Sequence, residues 1–151
     1  MKKLMIAVCI FFTSIVSNVY ADGHGNIKMG IILGFTGPIE SLTPAMAASA
    51  ELAFNEASDS GSLLGGKKIK VERADSTCVD SAAATSAAEG LVSNGVVAIM
   101  GADCSGVTGA IASNVAVPNG VVMISPSATS PGLTTIAVSY THLTLPTIYS
   151  V

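Results

Sequence analysis

A chain of 151 residues is long enough for one domain of ordinary size and too short for two. Half of it is apolar, yet aromatics make up only 5% and tryptophan is absent, so alanine, glycine and small β-branched residues carry the hydrophobic content, as close packing of helices on a sheet requires. A formal net charge of −3 with scattered lysines leaves no basic footprint and argues against a nucleic-acid partner.

The N-terminus reads as an export signal. Lys2 and Lys3 form a positive start, Leu4 to Val16 an apolar stretch, and Val19-Tyr20-Ala21 a small-residue cleavage pattern. That apolar stretch is too short for a hydrocarbon core of about 30 Å. The expectation is a signal peptide over residues 1–21, cut after Ala21, and not a membrane anchor. Cys9 lies inside the apolar stretch behind Val8, which does not suit a lipid-attachment box. Two cysteines remain beyond it, Cys78 and Cys104. An even pair in an exported chain reads as a disulfide; two buried thiols or half a metal site are the other readings. No histidine or further cysteine stands near either at ligand spacing, which counts against metal.

Ile27 to Leu33 is apolar almost throughout, Lys28 excepted, as in a strand buried on both faces of a parallel sheet. Gly34-Phe35-Thr36-Gly37-Pro38 then turns. Thr43 as N-cap with Pro44 behind it predicts a helix start, and Met46, Ala50, Ala53, Phe54 and Ala57 fall on one face. Ser58 to Gly61 and Gly65-Gly66 end that unit. Lys68 to Arg73 alternates, Ile69 and Val71 against Lys68, Lys70 and Glu72, which predicts a strand with one solvated face near an edge. Asp80 is an N-cap for a second helix whose Ala84, Ala87, Ala88, Leu91 and Val92 share a face, and Asn94-Gly95 stops it. Val96 to Met100 is a third strand. Gly106 to Val115 is a third helix that groups Val107, Ala110, Ile111 and Asn114. Pro118-Asn119-Gly120 turns into a fourth strand, Val121 to Ile124. The alternation predicts an α/β fold, a doubly wound and mostly parallel sheet with right-handed crossovers.

Residues 137–151 break this pattern, with no charged side chain, no helix period and no cap. They resemble peptides produced when adapter DNA is translated at the end of an assembled fragment. The expectation is that they are foreign to the fold, the other reading being an unusual terminal strand. No role is read from Tyr140 or His142.

In open parallel sheets, ligands bind beyond the carboxyl ends of the strands. Three loops leave such ends: Gly34 to Leu42, Gly101 to Ser105, and Ser125 to Thr129. The second runs straight into a helix, whose backbone N–H groups and dipole favour an anion by about 0.3–1 kcal/mol when exposed. Ser105 adds a hydroxyl there. The third loop offers hydroxyls and carbonyls, so the pair suits a group bearing both a carboxylate and an ammonium. Helix capping alone accounts for the same serines and threonines.

Five stretches go further. They are Ile27-Lys28-Met29-Gly30 leading to Gly37-Pro38; Leu64-Gly65-Gly66-Lys67-Lys68-Ile69; Asp75-Ser76-Thr77-Cys78; Gly101-Ala102-Asp103-Cys104-Ser105; and Ile124-Ser125-Pro126-Ser127-Ala128-Thr129-Ser130-Pro131. With them, Ile27 to Ile136 resembles the first lobe of the leucine/isoleucine/valine-binding protein family, the type I periplasmic receptors of ATP-binding-cassette importers. The resemblance implies a Rossmann-like lobe over residues 22–136 with the second lobe missing, no enzyme activity and no cofactor. It implies a small-molecule ligand, an amino acid or amide, with a membrane ABC permease as partner. It also implies a disulfide between Cys78 and Cys104. Ser105 would hold the ligand α-carboxylate by hydroxyl and N–H. Thr129 would add its N–H there and its hydroxyl near the ammonium, the carbonyl of Ser127 would accept from the ammonium, and Ala128 would lie against the ligand.

Two departures bear on the ligand. Asp103 stands where branched-chain binders line the pocket with an apolar side chain, and Leu42 stands near an aromatic position. A carboxylate against a leucine side chain is costly without a partner, so Asp103 either admits polar or cationic amino acids or turns away from the ligand. Two rival readings remain. For an exported α/β enzyme, Cys104-Ser105-Gly106 lacks the G-x-S-x-G elbow, and outside the tail the sole histidine beyond the signal is His24. The glycine loops fit neither dinucleotide nor Walker spacing. A ligand-sensing ectodomain of the same fold is the third reading.

Overall fold

The computed structural model describes residues 25–136. The expected signal peptide, His24 and the tail from residue 137 lie outside the described residues.

Four parallel strands form one sheet in the order β2-β1-β3-β4. They are β1 (Ile27–Leu33), β2 (Ile69–Asp75), β3 (Ala98–Gly101) and β4 (Val122–Ile124). The connecting helices are α1 (Thr43–Asp59), α2 (Ser81–Ser93) and α3 (Ser105–Ile111), the last running into a π-helical turn over Ala112–Ala116. The expected alternation is therefore present, with β3 and β4 shorter than their apolar runs suggest.

β1 is central. It pairs with β2 from Ile27↔Ile69 to Leu33↔Asp75 and with β3 from Met29↔Ala98 to Ile32↔Gly101. Ile31, Ile32 and Leu33 are fully buried as a result, each worth about 2 kcal/mol of apolar transfer. Period-two alternation divides them. Ile31 and Leu33 pack with Ala47, Met46, Ala50, Phe54, Val71 and Met100 under α1. Ile32 joins Ile99, Ala84, Ala88, Leu91, Val107, Ile111 and Val115 under α2 and α3. The chain winds outward from β1 to β2 beneath α1, then returns across β1 to β3 beneath α2. Crossovers of one hand that run in opposite directions must lie on opposite faces, which is why the helices divide this way. β2 stands at the edge, as its alternation predicts. α1 lies over β1 and β2; on the β4 side Val122 and Ile124, in register with Ala98 and Met100, stay exposed.

Small residues set the close helix-to-sheet distances. Gly30 on β1 leaves the room that Leu91 and Val96 fill, since a Cβ there would meet Leu91 Cδ1 at 3.0 Å.

Three helix details differ from expectation. Leu42, not Thr43, holds the N-cap position of α1, without a side-chain cap. Thr43 lies inside the first turn, fully buried, and its hydroxyl donates to the carbonyls of Gly34 (3.1 Å) and Glu40 (3.3 Å). The buried stripe of α1 runs Thr43, Ala47 and Ser58, and Ala53 is exposed. Along α3 and the π-helical turn that follows it, the stripe is Val107, Thr108, Ile111, Ala112, Val115 and Ala116, which leaves Asn114 exposed.

Candidate functional site

β1 and β3 are neighbours whose following loops depart to opposite faces, so the crevice between their carboxyl ends is the topological switch point of this sheet. Loops from all four strands meet there.

The loop after β3 is built around Gly101, whose φ is +127°. A Cβ at this position would stand inside the carbonyl oxygen of Ile32, so the residue type is dictated by how closely β3 approaches β1. Ala102 follows, fully buried. Its carbonyl accepts from Thr108 Oγ1 (3.1 Å) and from the hydroxyl of Ser125 on the loop after β4. Ser125 Oγ in turn accepts the N–H of Ala128 (2.9 Å). This chain of bonds folds the Ser-Pro-Ser-Ala-Thr loop back over the start of α3. Ala128 is itself only 2% exposed.

Ser105, at the first position of α3, receives two backbone donors. Its Oγ accepts the N–H of Thr129 and of Ser130, each at 3.1 Å. Ser127 Oγ donates to the main-chain carbonyl of Asp103 (2.9 Å). Asp103, Ser105, Ser127, Ala128 and Thr129, expected at the site from separate loops, are thus brought together.

The Asp103 carboxylate is turned into the protein. The residue is 3% exposed. Oδ2 accepts the N–H of Gly34 (2.8 Å), and Oδ1 accepts the Ser76 hydroxyl (3.3 Å) and the N–H of Cys104 (2.9 Å). Of the two orientations left open by the sequence, this is the one that turns away from a ligand. Its partners Gly34 and Ser76 were missed as site residues, because a backbone donor and a lone serine carry no pattern of their own. Ser125 and Ser130, which complete the β4 loop, likewise had no individual signal.

A second carboxylate works beside it. Asp75, at the end of β2, accepts the Thr36 hydroxyl (2.6 Å), the N–H of Thr77 (2.8 Å) and the N–H of Thr36 (3.3 Å). Below these loops Arg73 makes a two-pronged pair with Glu51 of α1 (2.6 and 2.8 Å), and its guanidinium lies 5.6 Å from the centre of the Phe35 ring. The Arg73 hydrogen bond holds the Glu51 carboxyl below its ordinary value. Leu42, at the far end of the first loop, is 61% exposed. Cys78 and Cys104 are joined as a disulfide with Cα atoms 5.2 Å apart. It links the loop after β2 to the N-cap of α3, passing over the exit of β1.

Fold and site define a class: a parallel α/β lobe that presents hydroxyls and backbone N–H groups at its switch point. Within that class, the chain belongs to the periplasmic binding protein family, whose model matches residues 26–147. The Leu/Ile/Val-binding protein BraC3 of Rhizobium johnstonii is 34% identical over 111 residues, covering 74% of this chain and 29% of that protein. The Leu/Ile/Val/Thr-binding protein of Salmonella typhimurium is 30% identical over 132 residues, 87% of this chain and 34% of that one. Among solved structures, the branched-chain amino acid transporter substrate-binding protein LivJ of Streptococcus pneumoniae, in complex with isoleucine, superposes with a TM-score of 0.66 at 36% identity. That match covers 74% of this chain and 31% of that one. The chain spans about a third of the length of the relatives it matches. These relatives are binding proteins, and the family's members are periplasmic.

Proposed function

We propose that this chain is the first lobe of a two-lobed periplasmic receptor that captures an amino acid and delivers it to an ABC permease, without chemistry of its own. The observation that carries this reading is the meeting of Ser105 Oγ with the N–H groups of Thr129 and Ser130. A carboxylate oxygen accepts from such donors more strongly than a hydroxyl does. The Ser105 hydroxyl, free to rotate, then donates to the same carboxylate instead of accepting. The carbonyl of Ser127 and the hydroxyl of Thr129 take the ammonium, and Ala128 supplies a flat apolar contact. Closure of a second lobe over this face, by a hinge motion, completes the enclosure. Branched aliphatic amino acids are the favoured class, since the relatives are named for them and the Asp103 carboxylate is engaged elsewhere. Residues 1–21 direct export with cleavage after Ala21, and the disulfide suits an oxidising compartment.

Residues 22–136 form the lobe, and residues 137–151 are not native to it, although the family match runs to residue 147. A sequencing read of the source gene across the codons for Thr135 and Ile136 tests this; the expected result is a frame that continues into a second α/β lobe. Calorimetric titration of that full-length receptor with a panel of amino acids should then show saturable binding. Ser105→Ala should weaken it by about 1–3 kcal/mol, the range for hydrogen bonds to a charged group. Binding by Ser105→Ala equal to the parent's, or a panel without a ligand, overturns the reading.

A further inference from the structure

We propose that Asp103 is a positioning residue: its buried carboxylate fastens the loops at the switch point into one frame and takes no part in choosing the ligand's side chain. The proposal rests on the reading of this crevice as an amino-acid site. Asp103 makes hydrogen bonds to all four loops. Oδ2 holds Gly34 after β1, and Oδ1 holds Ser76 after β2 and Cys104 after β3. Its main-chain carbonyl takes the Ser127 hydroxyl after β4. Gly34 and Asp103 stand on opposite sides of the crevice, on loops that leave for opposite faces, so their bond closes its floor.

Both carboxylate oxygens are committed to donors. Gly34 packs tightly against this arrangement: a Cβ there would lie 3.5 Å from Asp103 Oδ2 and 3.2 Å from Cys78 Cβ. Ser76 is fully buried. A carboxylate is tolerated in such surroundings because donors surround it, and acceptor capacity on both oxygens is what the surroundings require. The amide of asparagine has the same shape but must turn its NH₂ toward the N–H of Gly34 or of Cys104. A selectivity group would instead keep an oxygen for the ligand, and its loss would alter which side chains bind.

The test uses the full-length receptor, its D103N variant and the gentler S76A. Affinities for isoleucine, leucine, glutamine and lysine are measured by calorimetry well below the melting transition, and amide exchange is followed at Gly34 and Cys104 in the ligand-free protein. D103N should weaken every ligand the parent binds by about tenfold, within the usual range of coupling between a remote group and a binding site, with the order of preference unchanged. Exchange at both amides should quicken. S76A, which keeps the two backbone bonds, should give a smaller loss of the same uniform kind. A changed order of preference overturns the proposal, as does unchanged affinity in folded D103N or unchanged exchange at Gly34 and Cys104. If D103N does not fold, S76A decides: parental affinity together with parental exchange at Gly34 overturns the proposal. If the parent binds none of the four amino acids, the amino-acid reading fails, and the exchange rates still judge the framing role of Asp103.

Discussion

Asp75 shows how one side chain couples the site to pH. Partial burial pushes its carboxyl up, but hydrogen bonds from Thr36 and Thr77, with a contribution from the backbone at Phe35, outweigh that and hold it below its ordinary value of 3.8. A carboxylate whose folded-state pKa is depressed contributes stability that is complete above the unfolded-state value. That contribution is lost as pH falls through the folded-state value. Asp75 should therefore stabilise the protein fully at neutral pH, and the loss should begin only below about pH 4. Melting temperatures of the parent and Asp75→Asn, followed from pH 7 to pH 2, check this. The gap between the two should be constant above pH 5 and should narrow in acid. A gap that stays constant through pH 2 would assign the effect to something other than this carboxylate.

At the scale of the element, α2 is the best-specified piece of the chain. Asp80 has extended backbone geometry, and its Oδ1 accepts the N–H groups of Ala82 (2.9 Å) and Ala83 (3.0 Å). At the other end, Gly95 at φ +84° sends its N–H to Val92 while Val96 sends its own to Leu91, the paired bonds of a Schellman stop. Asp80→Ala should cost about 1 kcal/mol, read as a lower urea midpoint with an unchanged slope. A midpoint equal to the parent's would mean that the helix start is held by tertiary packing alone. Both ends of α2 were legible in the sequence because each rests on contacts within a few residues. The start of α1 was not. Thr-Pro is equally compatible with a cap and with the first helical turn, and what decided it was an acceptor nine residues back at the start of the same loop, the carbonyl of Gly34. The same division runs through the site. Ser105 and Thr129 were singled out by the motifs around them, and the structure brings them together, whereas the direction of Asp103 could not be read. Its donors Gly34 and Ser76 lie 69 and 27 residues away, and one of them is a backbone N–H that every residue but proline possesses.

The molecule as a whole depends on how its halves are joined at the carboxyl edge of the sheet. β2 and β3 flank β1 without touching each other, so their loops are tied across the β1 exit only by contacts above the strand ends. The Cys78–Cys104 bond, with a sequence separation of 26, closes a ring of chain that contains α2 and β3. In the chain-entropy account, a ring of that size stabilises by about 3.5 kcal/mol through its restriction of the unfolded chain. Reduction should accordingly lower the melting temperature of this domain on the order of 10 °C. The effect should reach the crevice as well. Cys104 is the N-cap residue of α3 and donates its N–H to Asp103, and Cys78 packs against Gly34. The bond therefore braces the same frame that the buried carboxylate holds from within. Melting with and without a phosphine reductant, paired with amide exchange at Gly34, separates the two contributions. A lowered midpoint with faster Gly34 exchange below the transition is the expected result. A lowered midpoint with unchanged Gly34 exchange would confine the disulfide to the unfolded state, leaving Asp103 and Asp75 to shape the crevice without its help.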